Sequence, residues 1–171
     1  KEICIHGHFY QPTRVNPWTD ELEPQSSAAP FRDWNERVAF ECYAPNMAAR
    51  LMDGDGRLRG TRNNYAGITF DIGPTLLSWI AAERPVILDG LRIADRRSQA
   101  RFGRGSAIAQ PYHHPILPLC DDQDRVTEVQ WGLAVFERVF ERSADGIWLS
   151  ETAVDLPTLE TVAAAGGAFV I

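Results

Sequence analysis

Glu151 lies in Gly146-Ile147-Trp148-Leu149-Ser150-Glu151-Thr152, just past a short apolar run and beside a tryptophan. A carboxylate presented at a strand end next to an aromatic wall suits nucleophilic attack on a sugar carbon. That chemistry takes a second carboxylate, and none of the 171 residues is an obvious partner. The four histidines form two groups, His6 with His8 and His113 with His114. Alternation along a strand puts His6 and His8 on one face. Such imidazoles could be satisfied core groups. They could ligate a zinc-like ion together with Asp71, or exchange hydrogen bonds with sugar hydroxyls. Residue type alone leaves the three readings open.

The elements that must carry these residues read as alternating strands and helices. Residues 3–9 form a buried first strand, followed by a loop over 10–32 broken by Pro12, Pro17, Pro24 and Pro30. Asp33-x-x-Glu36 is a capping-box pattern that opens a helix. Pro45 is expected to end it and begin another, which stops at Gly54 or Gly56. A strand over 65–70 precedes a helix from Pro74, and an arginine-rich helix covers 85–101. Its Arg92, Arg96, Arg97 and Arg101 read as a solvated face. A short strand over 106–110 leads into Gln110-Pro111-Tyr112-His113-His114-Pro115. Val126, Val129, Leu133, Phe136 and Phe140 then recur at helical spacing. Residues 147–149 form a strand, Asp155 caps a helix with Pro157 in its first turn, and Gly166-Gly167 ends it before a strand over 168–171. The last three elements make a βαβ unit.

This alternation predicts an α/β fold with a mostly parallel sheet or barrel, in one domain over residues 1–171. Sites in such folds form at the C-terminal ends of strands. The rule selects His6 to Gln11, Asp71, Gln110 to His114, and Trp148 to Glu151. An apolar strand at Ile171 would leave a bare edge, so the chain is expected to be the first part of a longer domain.

Composition narrows the partners. The chain is 44% hydrophobic and 23% charged, ordinary for a globular protein. A net charge of −6 argues against nucleic acid. No apolar run approaches a membrane span. Cys4, Cys42 and Cys120 are too few and too far apart for a disulfide framework. The expectation is a soluble, cytoplasmic protein.

His6-Gly7-His8-Phe9-Tyr10-Gln11-Pro12 resembles the first signature of glycoside hydrolase family 57. Gln110-Pro111-Tyr112-His113-His114-Pro115-Ile116-Leu117-Pro118 resembles the second, and Gly146 to Glu151 the third. Asp33-Trp34-Asn35-Glu36-Arg37 and Gly73-Pro74-Thr75-Leu76-Leu77 resemble an uncharacterised subgroup of that family. Ser150 departs from the Pro or Ala usual in the third signature, and Asp71 from the Asn expected in the subgroup.

The resemblance implies the N-terminal portion of a distorted seven-stranded (β/α) barrel of the glycoside hydrolase/deacetylase type. It implies a retaining hydrolase or transglycosidase acting on α-glucans, with an oligosaccharide or polysaccharide substrate and no cofactor. Glu151 would be the nucleophile, and an Asp of a fourth signature beyond Ile171 the acid/base. His6, His8, Gln11, Asp71, His113, His114 and Trp148 would bind substrate. The alternatives are a metal-dependent carbohydrate deacetylase-like enzyme, and an inactive or glucan-binding fragment.

Overall fold

The computed structural model describes residues 3–171. Five short strands run parallel in sequence order: β1 (His6–Phe9), β4 (Thr69–Ile72), β5 (Ala107–Ile108), β6 (Gly146–Ile147) and β7 (Phe169–Val170). A single parallel bridge from Ala109 to Ile147 joins β5 to β6. Its bonds run from the Ala109 amide to Gly146 O and from the Trp148 amide to Ala109 O. The remaining pair, β2 (Ala49–Met52) and β3 (Leu58–Arg62), is an antiparallel hairpin outside this row.

The period of two in the strands decides what each face receives. Phe70 and Ile72 of β4 enter the core, as do Ala107, Ala109, Ile147 and Leu149. Asp71 lies between Phe70 and Ile72, so it turns to the opposite face. His6 and His8 share that face, in register with Thr69 and Asp71. The first strand is shorter and more open than its sequence suggests. Ile3 and Ile5 are exposed, and the strand begins only at His6.

Helices α3 (Pro74–Glu83), α4 (Pro85–Phe102) and α5 (Asp122–Phe140) pack on one another around the core. Leu76, Leu77, Ile80, Leu91, Val129 and Phe136 anchor the contact, each burial contributing roughly 1.5–3 kcal/mol. Within the expected α5 stripe, Val129, Phe136 and Phe140 are buried, whereas Val126 is exposed. Gly132 faces the segment after β5. A Cβ there would collide with the Gln110 carbonyl oxygen, so only glycine lets α5 approach so closely.

The helix opened by Asp33 behaves differently from its prediction. Asp33 accepts from the Glu36 amide at 2.9 Å, as a cap should, while Glu36 reaches the Arg32 amide at 3.1 Å. Helix α1 (Trp34–Val38) runs through a wider π-type turn, Ala39–Tyr43, into α2 (Ala44–Met47), so Pro45 does not break it. The chain then enters the β2–β3 hairpin, where a helix up to Gly54 or Gly56 is predicted. The strand predicted over 65–70 starts at Thr69, because residues 64–67 form a 3-10 turn tied to the Asn63 side chain. Helix α6 (Leu156–Ala164) is capped by Asp155, which accepts from the Thr158 amide at 2.9 Å. No described helix is long and apolar enough to cross a membrane.

Candidate active site

Asp71 is fully buried and is the hub of the cluster at the C-terminal ends of the strands. Its Oδ1 accepts from His6 Nε2 at 2.8 Å. Its Oδ2 accepts from His8 Nδ1 at 2.8 Å and from Gln110 Nε2 at 2.7 Å. A buried carboxylate needs such donors, since desolvating it alone would cost several kcal/mol, on the order of 5. The contacts fix both rings. His6 Nδ1 meets Thr69 Oγ1 at 3.0 Å, and His8 Nε2 meets His114 Nε2 at 3.1 Å. One nitrogen of that last pair must donate and the other accept.

Trp148 covers this network. Its ring stacks on His8 at 4.4 Å between centroids and on His6 at 5.5 Å. Tyr10 stacks on His114 at 4.0 Å, and its hydroxyl donates to the His113 carbonyl at 3.2 Å. Burial first, and then the His8 ring, hold the His114 imidazole below its ordinary 6.5. Its own backbone and the carboxylates of Glu151 and Asp71 pull it back upward.

Glu151 follows β6 in the short turn Ser150–Thr152, and its side chain is open to solvent. Glu151 (φ 55°) and Thr152 (φ 54°) are both left-handed, and His114 (φ 60°) is too. This conformation is costly for a β-branched residue such as Thr152, and strain of this kind gathers at functional sites. Three buried polar atoms at this end have no partner among the described residues: Gln110 Oε1, Trp148 Nε1 and Ser150 Oγ.

His6, His8, Asp71, His114 and Trp148 are thus brought together, with Glu151 one turn past Trp148. His113 is not. Its ring and its amide both engage Glu128, each at 2.7 Å, and the ring packs against Tyr112 and Trp131. The turn at His114 sends the adjacent histidines in different directions. Gln11 is buried, but its side-chain amide lies against the Arg14 guanidinium, which requires the amide oxygen to be the acceptor on that side. Its carbonyl accepts from Thr75 Oγ1 at 2.7 Å. Gln110 and Tyr10 are functional candidates that sequence reasoning passed over, although both stood inside the selected strand ends. Among the described residues no three His, Cys, Asp or Glu side chains converge as a metal ligand set. The imidazoles turn onto Asp71 and onto each other instead.

Known proteins resemble this chain. It is 26% identical over 167 residues to a 4-alpha-glucanotransferase of Thermococcus kodakarensis, covering 98% of this chain and 20% of that protein. It is 27% identical over 96 residues to alpha-amylase 1 of Dictyoglomus thermophilum, covering 56% of this chain and 13% of that protein. The crystal structure of a 4-alpha-glucanotransferase from Thermococcus litoralis superposes with a TM-score of 0.66 at 18% identity, covering 98% of this chain and 21% of that one. The chain therefore spans about a fifth or less of the length of these curated relatives. The pattern that defines glycosyl hydrolase family 57 matches residues 9–171, and the chain belongs to that family.

Proposed function

We propose that this chain supplies the nucleophile and the central sugar-binding subsite of a retaining enzyme acting on α-glucans. The observation that carries the reading is the strained turn holding Glu151 next to Trp148, above the buried Asp71–histidine network. Relatives named as a 4-alpha-glucanotransferase and an alpha-amylase support the substrate class. The five parallel strands would form an arc of the distorted seven-stranded barrel, with the site at the carboxyl ends of its strands.

In the proposed reaction a Glu151 carboxylate oxygen attacks the anomeric carbon. The bond from that carbon to the leaving oxygen breaks, and an acid/base Asp gives that oxygen its proton. This Asp belongs to a fourth motif that residues 1–171 do not carry. Its carboxylate then takes a proton from the acceptor hydroxyl, whose oxygen displaces Glu151. Water as acceptor gives hydrolysis, and a glucan hydroxyl gives transfer. Retention asks for the two carboxyl groups to stand about 5–5.5 Å apart.

His8 and His114 would exchange their mutual Nε2 contact for the hydroxyls of the sugar at the cleavage point, with Trp148 as the wall of that subsite. His6, both of whose nitrogens are taken by Thr69 and Asp71, would position the cluster. Asp71 and Gln110 would act through the imidazoles, holding ring orientation and tautomer. Gln11 and His113 would lie at the rim. Glu151→Gln in the complete protein is expected to lower turnover on maltooligosaccharides at least a thousandfold, a barrier increase of about 4 kcal/mol. Near-normal turnover of that variant would overturn the assignment.

A further inference from the structure

At the opposite ends of the strands, away from Asp71, two adjoining cavities of about 290 and 470 Å³ open to solvent. Both are lined by Arg62 and Arg101, and the larger also by Arg97. No carboxylate lines either cavity among the described residues. In a chain of net charge −6 this is a local reversal of sign. Arg97 and Arg101 stand four residues apart on α4, so like charges share one face of the helix. None of the three guanidiniums joins an ion pair among the described residues, whereas Arg37, Arg59, Arg84, Arg125 and Arg142 each do.

A second observation points the same way. Ser106 is 3% exposed and lines the smaller cavity, and its hydroxyl has no partner among the described residues. An orphaned buried hydroxyl at a cationic cavity is a donor awaiting an acceptor. The buried carboxylate of Asp95 does not supply one, since Arg142, Gln99 and the Ala107 amide already occupy it. Gly67 leaves room for the Arg62 guanidinium, which a Cβ there would meet at 2.7 Å. Ile3, Ile68 and Phe102 add an apolar wall to the smaller cavity.

We propose that this cleft binds a small phosphorylated metabolite. Its phosphate sits among Arg62, Arg97 and Arg101, and its body lies against Ile3, Ile68 and Phe102. Guanidinium groups pair with phosphate oxygens through parallel N–H donors, which a spherical halide cannot match, and the double charge of a phosphate suits three clustered cations. The concave shape suits a small ligand rather than a polymer backbone.

The test is calorimetric titration of the complete protein with glucose 1-phosphate at low ionic strength, with inorganic phosphate as the comparison. Saturable binding of glucose 1-phosphate with a Kd below about 1 mM, tighter than that of phosphate alone, is expected. The Arg62→Gln/Arg101→Gln double variant should weaken it at least tenfold. Gly67→Ala, which displaces Arg62 without removing its charge, should weaken it severalfold and provides a second readout if the double variant unfolds. Absence of saturable binding, or binding that both variants leave unchanged, overturns the proposal.

Discussion

Two buried aspartates lie on either side of the same short strands, and they are satisfied in opposite ways. Asp95, from α4, meets Arg142 through two nitrogens at 2.9 Å, with the Ala107 amide also at 2.9 Å. Arg142 in turn donates to the carbonyls of Ala107 and Ser143. A permanent cation in fork geometry closes that site, leaving little for a ligand to do. Asp71 is equally buried, but its donors are two imidazoles and an amide. Around it lie unpartnered polar atoms, left-handed non-glycine residues and stacked aromatic rings. The first site is built for stability. The second keeps groups whose donor and acceptor roles can change, at a cost in stability that the rest of the fold must offset.

The contrast predicts which changes unfold the protein and which silence it. The largest effect on stability is expected from Arg142→Ala. Removing the cation leaves a buried, unpaired carboxylate and should cost about 3–5 kcal/mol in urea unfolding. Turnover per folded molecule should be unchanged. Asp71→Asn should do the reverse in emphasis. The amide cannot accept from all three donors, so stability should fall by about 1–3 kcal/mol. Turnover should drop by roughly a hundredfold, because the imidazoles lose their fixed orientation. If Asp71→Asn destabilises the protein yet leaves turnover intact, the two sites are alike and the contrast collapses.

A smaller, pH-dependent effect sharpens the comparison. The His114 imidazole is held below its ordinary 6.5 in the folded state. As pH falls below 6.5, the unfolded chain takes up that proton before the folded one does. The stability contribution of the neutral ring is thus complete above 6.5 and is lost as pH falls through the folded value. His114→Asn, a residue that tolerates the left-handed conformation, should flatten this part of the pH–stability curve. Chemical denaturation of the parent and of this variant at a series of pH values reads the difference.

Much of this was legible in the residues themselves. The alternation in His6-Gly7-His8 and Phe70-Asp71-Ile72 assigns their faces, because a strand has only two. Asp33 and Asp155 announce their helices by a local hydrogen bond that needs no tertiary context. The β2–β3 hairpin was not legible. Arg50, Leu51, Met52 and Leu58 are all exposed, so neither strand carries an apolar–polar alternation. Its Asp53-Gly54-Asp55-Gly56 turn reads equally well as the end of a helix. The separation of His113 from His114 was also hidden. It depends on the backbone turning at His114 and on Glu128 arriving from α5, a partner 15 residues away. Gln110 escaped for a similar reason, since its role appears only when β4 lies beside the end of β5.

The most direct test of the account is to trap the glycosyl-enzyme. The complete protein would be incubated with a slow fluorinated glucosyl substrate, digested, and the labelled peptide sequenced by mass spectrometry. The account predicts one sugar per protein, esterified to Glu151. A label on another carboxylate, or steady turnover with inverted product and no label, would contradict it.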